Sequence, residues 1–174
     1  MSTLVEKISP KAYNANRWSE CGKSLFAGNT RQQPTKAQLD GIAFEEHVQT
    51  LAEGGKPKKK SKTFDRQAEI LLQEIAQSEM VVEPQWQSTI DSFCGNVKPD
   101  VFYLTTDEVL HVIDIKHGAE MVNPKNNLQL IIYAGALLEQ GELRPKSVML
   151  GIYQPKMSIP VSYTHLTLPT IYSV

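Results

Sequence analysis

The sequence PDVFYLTTDEVLHVIDIK, residues 99–116, decides how this chain folds. It contains two apolar runs, at 101–104 and 109–116, which have the length and the β-branched composition of strands. The polar segment Thr105–Glu108 between them has the right length for a hairpin turn. We therefore predict that these residues form two antiparallel strands joined by a tight turn.

Hydrophobic periodicity extends this assignment to both sides of the hairpin. Thr35 is a plausible N-cap for a helix that runs to about Glu53, and Gly54 follows it. The remaining predicted elements are a helix over 64–77, a strand over 80–87, a helix over 126–140 that ends at Gly141, and a strand over 147–153. The order α, α, β, β, β, α, β predicts an α/β fold in which helices flank a mixed sheet.

The second strand of the hairpin carries an acid and a base on one face. Side chains alternate along a strand, so Asp114 and Lys116 point the same way, while Ile113 and Ile115 point into the core. Antiparallel pairing can bring Asp100, at the start of the first strand, beside Asp114. Two carboxylates held close repel each other unless a divalent cation lies between them, and oxygen ligands favour Mg²⁺ or Mn²⁺ over Zn²⁺. A lysine beside such a cation can orient or deprotonate an attacking water.

Further candidates lie on the two neighbouring helices. Gln129 and Tyr133 are four residues apart, so they share one face of the helix that follows the hairpin. Glu45 lies inside the first helix and can supply a third carboxylate to the same site. Glu83, which precedes a proline, is interpreted as structural or solvent-facing.

These motifs together resemble the signature of the PD-(D/E)XK nuclease superfamily. Pro99-Asp100 followed by Asp114-Ile115-Lys116 is similar to its central motif, and Gln129 with Tyr133 is similar to the extra motif of its RecB-like branch. The setting NNLQLIIYA, residues 126–134, resembles a phage-associated RecB-like group. The resemblance implies a restriction-endonuclease-like core and covers about residues 10–157.

The resemblance also implies a role for each matched position. Asp100 and Asp114 would bind Mg²⁺, with Mn²⁺ as a substitute, and the Ile115 carbonyl would help. Lys116 would position the water. Gln129 and Tyr133 would shape the catalytic site and contact DNA.

Two N-terminal features of that group have counterparts in this chain. Its Arg-Trp-x-x-Cys island is similar to Arg17, Trp18 and Cys21. Its Gly-x-x-x-His helix has Glu45 in place of the histidine, and His47 follows two residues later. Other branches of the superfamily use glutamate there, so whether Glu45, Glu46 or His47 faces the metal stays open at this point.

Composition limits where the protein acts and what it binds. The formal net charge is −1, so a nucleic-acid partner must be recognised through local patches, such as the basic run Lys56–Lys62. That run is more often a solvated loop than a binding element. The two cysteines, Cys21 and Cys94, are far apart and indicate reduced thiols. The N-terminus has no signal-peptide pattern and no apolar run is long enough for a membrane span, so we expect a cytoplasmic protein with no membrane partner.

The last fourteen residues, 161–174, resemble the translation of a sequencing adapter, and they contain no Asp, Glu, Lys or Arg. We therefore predict a non-native tail over 160–174, and the alternative is a genuine apolar strand. The predicted organisation is then an irregular segment over 1–34, a nuclease core over 35–159 that is truncated at its C-terminal end, and this tail.

These observations predict a Mg²⁺-dependent deoxyribonuclease, with an exonuclease as the expected type, acting in phage or prophage DNA recombination, repair or replication. Its partners would be DNA and proteins of phage recombination or replication, and its oligomeric state is left open. One alternative is a DNA-binding member of the same fold without activity. The other is an unrelated α/β interaction module, which a large separation of Asp100 from Asp114 would favour.

Overall fold

The computed structural model describes residues 33–58, 60–92, 95–157 and 161–167. Within these ranges the helices and strands are α1 (Lys36–Ala52), α2 (Lys62–Ala76), β1 (Met80–Trp86), β2 (Val101–Thr105), β3 (Val109–Ile115), α3 (Leu128–Glu139), β4 (Ser147–Tyr153) and β5 (Val161–Thr167). From α1 to β4 this is the order predicted from the sequence. The predicted fold class is confirmed: a mixed sheet is flanked by helices.

The sheet has the strand order β1-β2-β3-β4-β5. Neighbouring strands are antiparallel except for β3 and β4, which are parallel and are connected through α3. In the β2–β3 hairpin, Val101 pairs with Ile113. This register places the residue before Val101 opposite the residue after Ile113, and those residues are Asp100 and Asp114.

The turn of this hairpin is closed by a single hydroxyl group. Thr105 Oγ1 accepts from the Val109 amide at 3.2 Å and donates to Asp107 Oδ1 at 2.5 Å. Glu108 adopts a left-handed backbone with φ 63°, and its amide donates to the Thr105 carbonyl at 3.0 Å. These contacts fix the register that brings the two aspartates together.

Local capping explains where the helices begin. Thr35 and Gln38 form a capping box at the start of α1, as the sequence suggested for Thr35. Helix α3 begins later than predicted, at Leu128. Asn126 has φ 59°, which a helix does not allow, and the Asn127 side chain accepts from the amides of Gln129 and Leu130.

Helices cover both faces of the sheet at its centre, so β2, β3 and β4 are buried on two sides. On one face, α1 and α2 pack against alternate residues of β2 and β3, which include Tyr103, Ile113 and Ile115. On the other face, α3 packs against Phe102, Leu110 and Val112. Asp114 belongs to this second face by alternation, and therefore it points towards α3.

Residues 161–167 pair with β4 along the whole length of β5. The predicted tail thus lies partly within a strand, although three of its seven side chains are half-buried, four are exposed and none is fully buried. An unpaired edge of β4 can form backbone hydrogen bonds with a segment of this composition, whether that segment is native or not. The non-native origin of 160–174 stays a prediction, which sequencing of the source DNA through these codons would check.

Several sequence predictions fall on residues outside the described ranges. These are the island of Arg17, Trp18 and Cys21, most of the segment 1–34, Lys59 and Cys94. Among the described residues, no helix combines the length and the apolar character that a membrane crossing requires.

Candidate active site at the end of the β2–β3 hairpin

Asp100 and Asp114 lie opposite each other where β2 begins and β3 ends. Both are buried, with 9% and 2% of their surface exposed. Two buried carboxylates on neighbouring strands are unusual in a sheet core, because the charged form of each loses its hydration. The condition that would have favoured an unrelated interaction module, a large separation of the two aspartates, is not met.

Asp100 is held through both of its carboxylate oxygens. Oδ1 accepts from the Gln87 side-chain amide at 2.7 Å, and Oδ2 accepts from the backbone amide of Ile115 at 2.6 Å. The Gln87 backbone amide also donates to the Asp100 carbonyl at 3.0 Å. The orientation of this carboxylate is therefore set by protein donors rather than by solvent.

Gln87 was not recognised from the sequence as part of the site. It follows β1 and has a left-handed backbone with φ 50°, which is uncommon for a residue other than glycine. This conformation directs both its backbone and its side-chain amide towards Asp100. Nothing in the sequence around Gln87 signals it, since glutamine has no preference for positive φ. Backbone strain of this kind is more common near functional sites than elsewhere.

Asp114 is bound by one neutral donor and one cation. The Gln129 side-chain amide donates to Oδ1 at 2.9 Å, and the Lys116 Nζ lies 2.6 Å from Oδ2. The second contact is an ion pair with a buried oxygen, and among the described residues no donor other than the Lys116 ammonium group approaches Oδ2. This oxygen is free to accept a further ligand once the ammonium moves.

The electrostatics of the site favour the binding of a positively charged group. Burial is the main cause that raises the pKa of Asp100 well above its usual range, and Asp114 and Glu45 raise it further. Burial likewise raises the pKa of Asp114, although Lys116 opposes the change. Three carboxyl groups thus face one ammonium group, so Lys116 can balance the charge of only one of them.

Lys116 remains a cation in this environment. Burial works against its charge, but the carboxylate of Asp114 and then those of Asp100 and Glu45 raise its pKa above the usual value. One third of its side chain is exposed, at 33%, so the ammonium group reaches both the buried aspartate and the open side of the site. A lysine in this state donates hydrogen bonds and does not accept protons near neutral pH.

Gln129 and Tyr133 reach the site from α3, as their spacing suggested. Gln129 Nε2 donates to Asp114 and also to the Tyr133 hydroxyl oxygen at 2.8 Å. Tyr133 is buried, which raises its pKa, and its hydroxyl group therefore stays neutral. The pair fixes the Asp114 carboxylate in one orientation. The contacts with DNA that the resemblance implies for both residues stay predictions.

The structure distinguishes between the three candidates on α1. Glu45 is half-buried beside Lys116, and burial raises its pKa, with Lys116 lowering it and Asp114 raising it. Glu46 is exposed and lines a different groove. His47 is buried against α2, where its Nε2 lies 2.8 Å from Asp65 Oδ1. Of the three, Glu45 is the one that faces the site.

The site opens to the surface along α1. An open groove there is lined by Glu45 and Ile42 from the helix and by Ile115, Lys116 and His117 after β3. His117 was not singled out from the sequence. It is buried and stacks on Phe44 at 4.5 Å between ring centres.

The donor set meets part of what a divalent cation requires. Asp100 and Asp114 offer hard oxygen ligands, and the Lys116 ammonium group already occupies a cation position at Asp114 Oδ2. In the part of the chain that the structure describes, no group of three or more His, Cys, Asp or Glu side chains is arranged to hold a metal ion. Mg²⁺ is commonly held by one or two protein carboxylates, and water and substrate phosphate supply the rest. Two aspartates therefore fit Mg²⁺ better than a fully protein-ligated metal.

Other predicted positions lie away from the site. Glu83 is exposed on β1, in agreement with its interpretation as solvent-facing. The described residues of Lys56–Lys62 belong to the connection between α1 and α2, except for Lys62, which begins α2.

Comparisons with known proteins give two similarities. A family described as "Protein of unknown function (DUF2800)" matches residues 98–169, which include Asp100, Asp114, Lys116, Gln129 and Tyr133. No curated protein matches the chain. Among solved structures, the chain is similar to one from Eubacterium rectale described as a candidate exonuclease, with 13% identity, a TM-score of 0.42, and coverage of 98% of this chain and 79% of that one. The chain therefore resembles the DUF2800 family over the β2–β3 hairpin, α3, β4 and β5.

Proposed function

We propose that this protein is a metal-dependent nuclease that hydrolyses phosphodiester bonds in DNA. The observation that carries the proposal is the pair of buried aspartates, Asp100 and Asp114, which face each other with the Lys116 ammonium group on one of them. A purely structural ion pair needs one acid and one base. The second buried carboxylate is not needed for such a pair, whereas two neighbouring carboxylates are suited to hold a divalent cation.

The two aspartates would hold Mg²⁺ or Mn²⁺, and the Ile115 carbonyl is proposed as an additional ligand. When bound, such an ion neutralises charge on the phosphate and lowers the pKa of a coordinated water. Glu45 lies at the open side of the site, where it can bind water that surrounds the ion.

The remaining residues orient the reacting groups. Lys116 is protonated, so it donates a hydrogen bond to the attacking water or to a phosphate oxygen and does not remove a proton. The sequence suggested two roles for Lys116, orienting the attacking water or deprotonating it, and we propose only the first. Gln129 fixes Asp114, and Tyr133 fixes Gln129. Gln87 and the Ile115 amide fix Asp100, so both carboxylates are preorganised before any ligand binds.

The narrower predictions belong to the same proposal. The motif resemblance supports a PD-(D/E)XK enzyme of the RecB-like branch, with exonuclease activity in phage recombination, repair or replication. A cytoplasmic location and phage proteins as partners follow from that assignment. The alternative is a DNA-binding protein without nuclease activity, which would bind DNA without any need for Asp114.

The experiment compares the wild type with Asp114→Asn and Lys116→Ala on end-labelled linear DNA and on circular DNA, with Mg²⁺ and with EDTA. We expect cleavage that needs Mg²⁺ and that both substitutions lower by at least about 100-fold. Loss of linear but not circular DNA identifies an exonuclease. As a matched control, Lys146→Ala removes a lysine that pairs with Glu108 at the opposite end of the sheet, and it should cleave like the wild type. Equal cleavage by the wild type and both site variants would contradict the proposal.

A further inference from the structure

A second groove lies beside the candidate site, between the first turns of α2 and the segment after β4. It has a volume of about 590 Å³. Its lining includes Lys62, Arg66 and Gln67 from α2 and Pro155 and Met157 from the other side. We call it the α2 groove.

The charge of the α2 groove is positive. Lys62 and Arg66 are four residues apart, so they project from the same side of the helix. Both are exposed, and neither is within ion-pair distance of a carboxylate in the described part of the chain. Among the described residues, no acidic side chain lines this groove. Two other grooves differ, because Glu46 and Glu53 line one of them and Asp91 and Glu142 line the other.

The α2 groove and the open groove of the candidate site adjoin each other through a contact of His117 with Gln67. The ring of His117 lies 3.2 Å from Gln67 Oε1 on one side, and His117 itself lines the open groove that contains Lys116. Its Nδ1 lies 3.0 Å from Asp40 Oδ2, and the same oxygen lies 3.5 Å from Lys156 Nζ. The contact between His117 and Gln67 thus connects the groove that contains Lys116 with the α2 groove, and Asp40 lies between His117 and Lys156.

We propose that Lys62 and Arg66 bind the phosphate groups of the substrate DNA strand as it leaves the candidate site across His117. This proposal rests on the proposed function, because it assigns the DNA path to that site. With a net charge of −1, the protein attracts no polyanion as a whole, so binding must depend on a local patch of this kind. Contacts with phosphates position a strand without reading its sequence, and they make affinity sensitive to salt.

The test measures binding and cleavage separately. The variant is Lys62→Ala/Arg66→Ala, and the matched control is Arg144→Ala/Lys146→Ala, which removes the same charge near the start of β4, at the opposite end of the sheet. Binding to a labelled single strand of about 20 nucleotides is followed by fluorescence anisotropy at several salt concentrations. Cleavage is followed on that strand and on a dinucleotide, which is too short to reach the α2 groove. Thermal melting confirms that all variants are folded.

We expect the Lys62/Arg66 variant to bind the long strand about tenfold more weakly, and the slope of log K against log salt to fall by roughly 1.4, for two lost phosphate contacts. For the long strand, the substitution should mainly raise KM. Cleavage of the dinucleotide and all properties of the control should not change. An unchanged affinity and salt slope would overturn the proposal, even if the protein is a nuclease. If the wild type binds DNA but cleaves none, and the variant still loses affinity and slope, the path stands and the proposed activity falls.

Discussion

Replacement of Asp100 by asparagine should abolish Mg²⁺-dependent cleavage and make the metal-free protein more stable. The substitution keeps the shape of the side chain and removes its charge. The asparagine oxygen can still accept from the Ile115 amide. A half-turn of the Gln87 side-chain amide would present its oxygen to the new NH₂ group, so each hydrogen bond of the Asp100 carboxylate has a replacement.

The size of the effect follows from the burial of the charge. Replacement of a whole buried ion pair by well-packed neutral residues stabilises proteins by about 1–4 kcal/mol in favourable cases, and we take this range as the upper bound for removing one unfavourable buried charge. Lys116 already offsets part of the repulsion between Asp100 and Asp114, so we expect the lower part of this range, about 1–2 kcal/mol. For a chain of this size that is a rise in Tm of roughly 2–8 °C.

The pH dependence has a definite sign. The folded-state pKa of Asp100 is raised above its ordinary value of 3.8, so the folded state prefers the protonated carboxyl group. The stability that Asp100 contributes is therefore complete below that value and is lost as the pH rises through the raised pKa. The difference in Tm between Asp100→Asn and the wild type should grow from about pH 4 towards neutral pH.

Thermal melting in EDTA at several pH values measures this difference in Tm. A cleavage assay with Mg²⁺ is carried out in parallel. Asp107→Asn is the control, because Asp107 is exposed and its hydrogen bond from Thr105 lowers its pKa. Loss of that charge should not raise the Tm. If Asp100→Asn melts below the wild type at neutral pH, the Asp100 charge stabilises the fold, and the idea that the site holds unfavourable negative charge is wrong.

Three further predictions concern neighbouring residues and the cation. Lys116→Ala should lower the free energy of unfolding by roughly 1–2 kcal/mol in urea titrations, since it leaves Asp114 buried without its counter-ion, and the partial exposure of Lys116 limits the loss. Gln87→Gly should be more stable than Gln87→Ala by about 1 kcal/mol, the reverse of the usual order in regular structure, because φ 50° strains any residue with a Cβ; equal stability would exclude that strain. Mg²⁺ at about 100 times its Kd should stabilise the wild type by about 2.7 kcal/mol, seen as a rise in Tm, and a similar rise in Asp114→Asn would place the ion elsewhere.

The parts of the site that could be predicted from sequence are those fixed by local geometry. The turn Thr105–Glu108 determines the hairpin register, and the register determines that Asp100 faces Asp114. The spacing of Gln129 and Tyr133 determines that they share a helical face. Each of these relations depends on a few neighbouring residues, so a pattern in the sequence is enough.

The remaining features depend on how distant elements pack. The choice of Glu45 over its neighbours is set by the rotation of α1, which follows from the full burial of Phe44 and Val48 against α2 and the sheet. The periodicity of α1 is too weak to fix that rotation. The bridge from His117 to Gln67 joins residues fifty positions apart, and no local pattern predicts it.

Asp100, Asp114 and Lys116 all belong to one hairpin, and this has a consequence for the order of folding. Hairpins form within microseconds because the loop to be closed is short. The two carboxylates can therefore meet before the helices have shielded them, while water still surrounds both. Folding at an acid pH, where both groups are protonated, should therefore meet less electrostatic repulsion at this stage than folding at neutral pH.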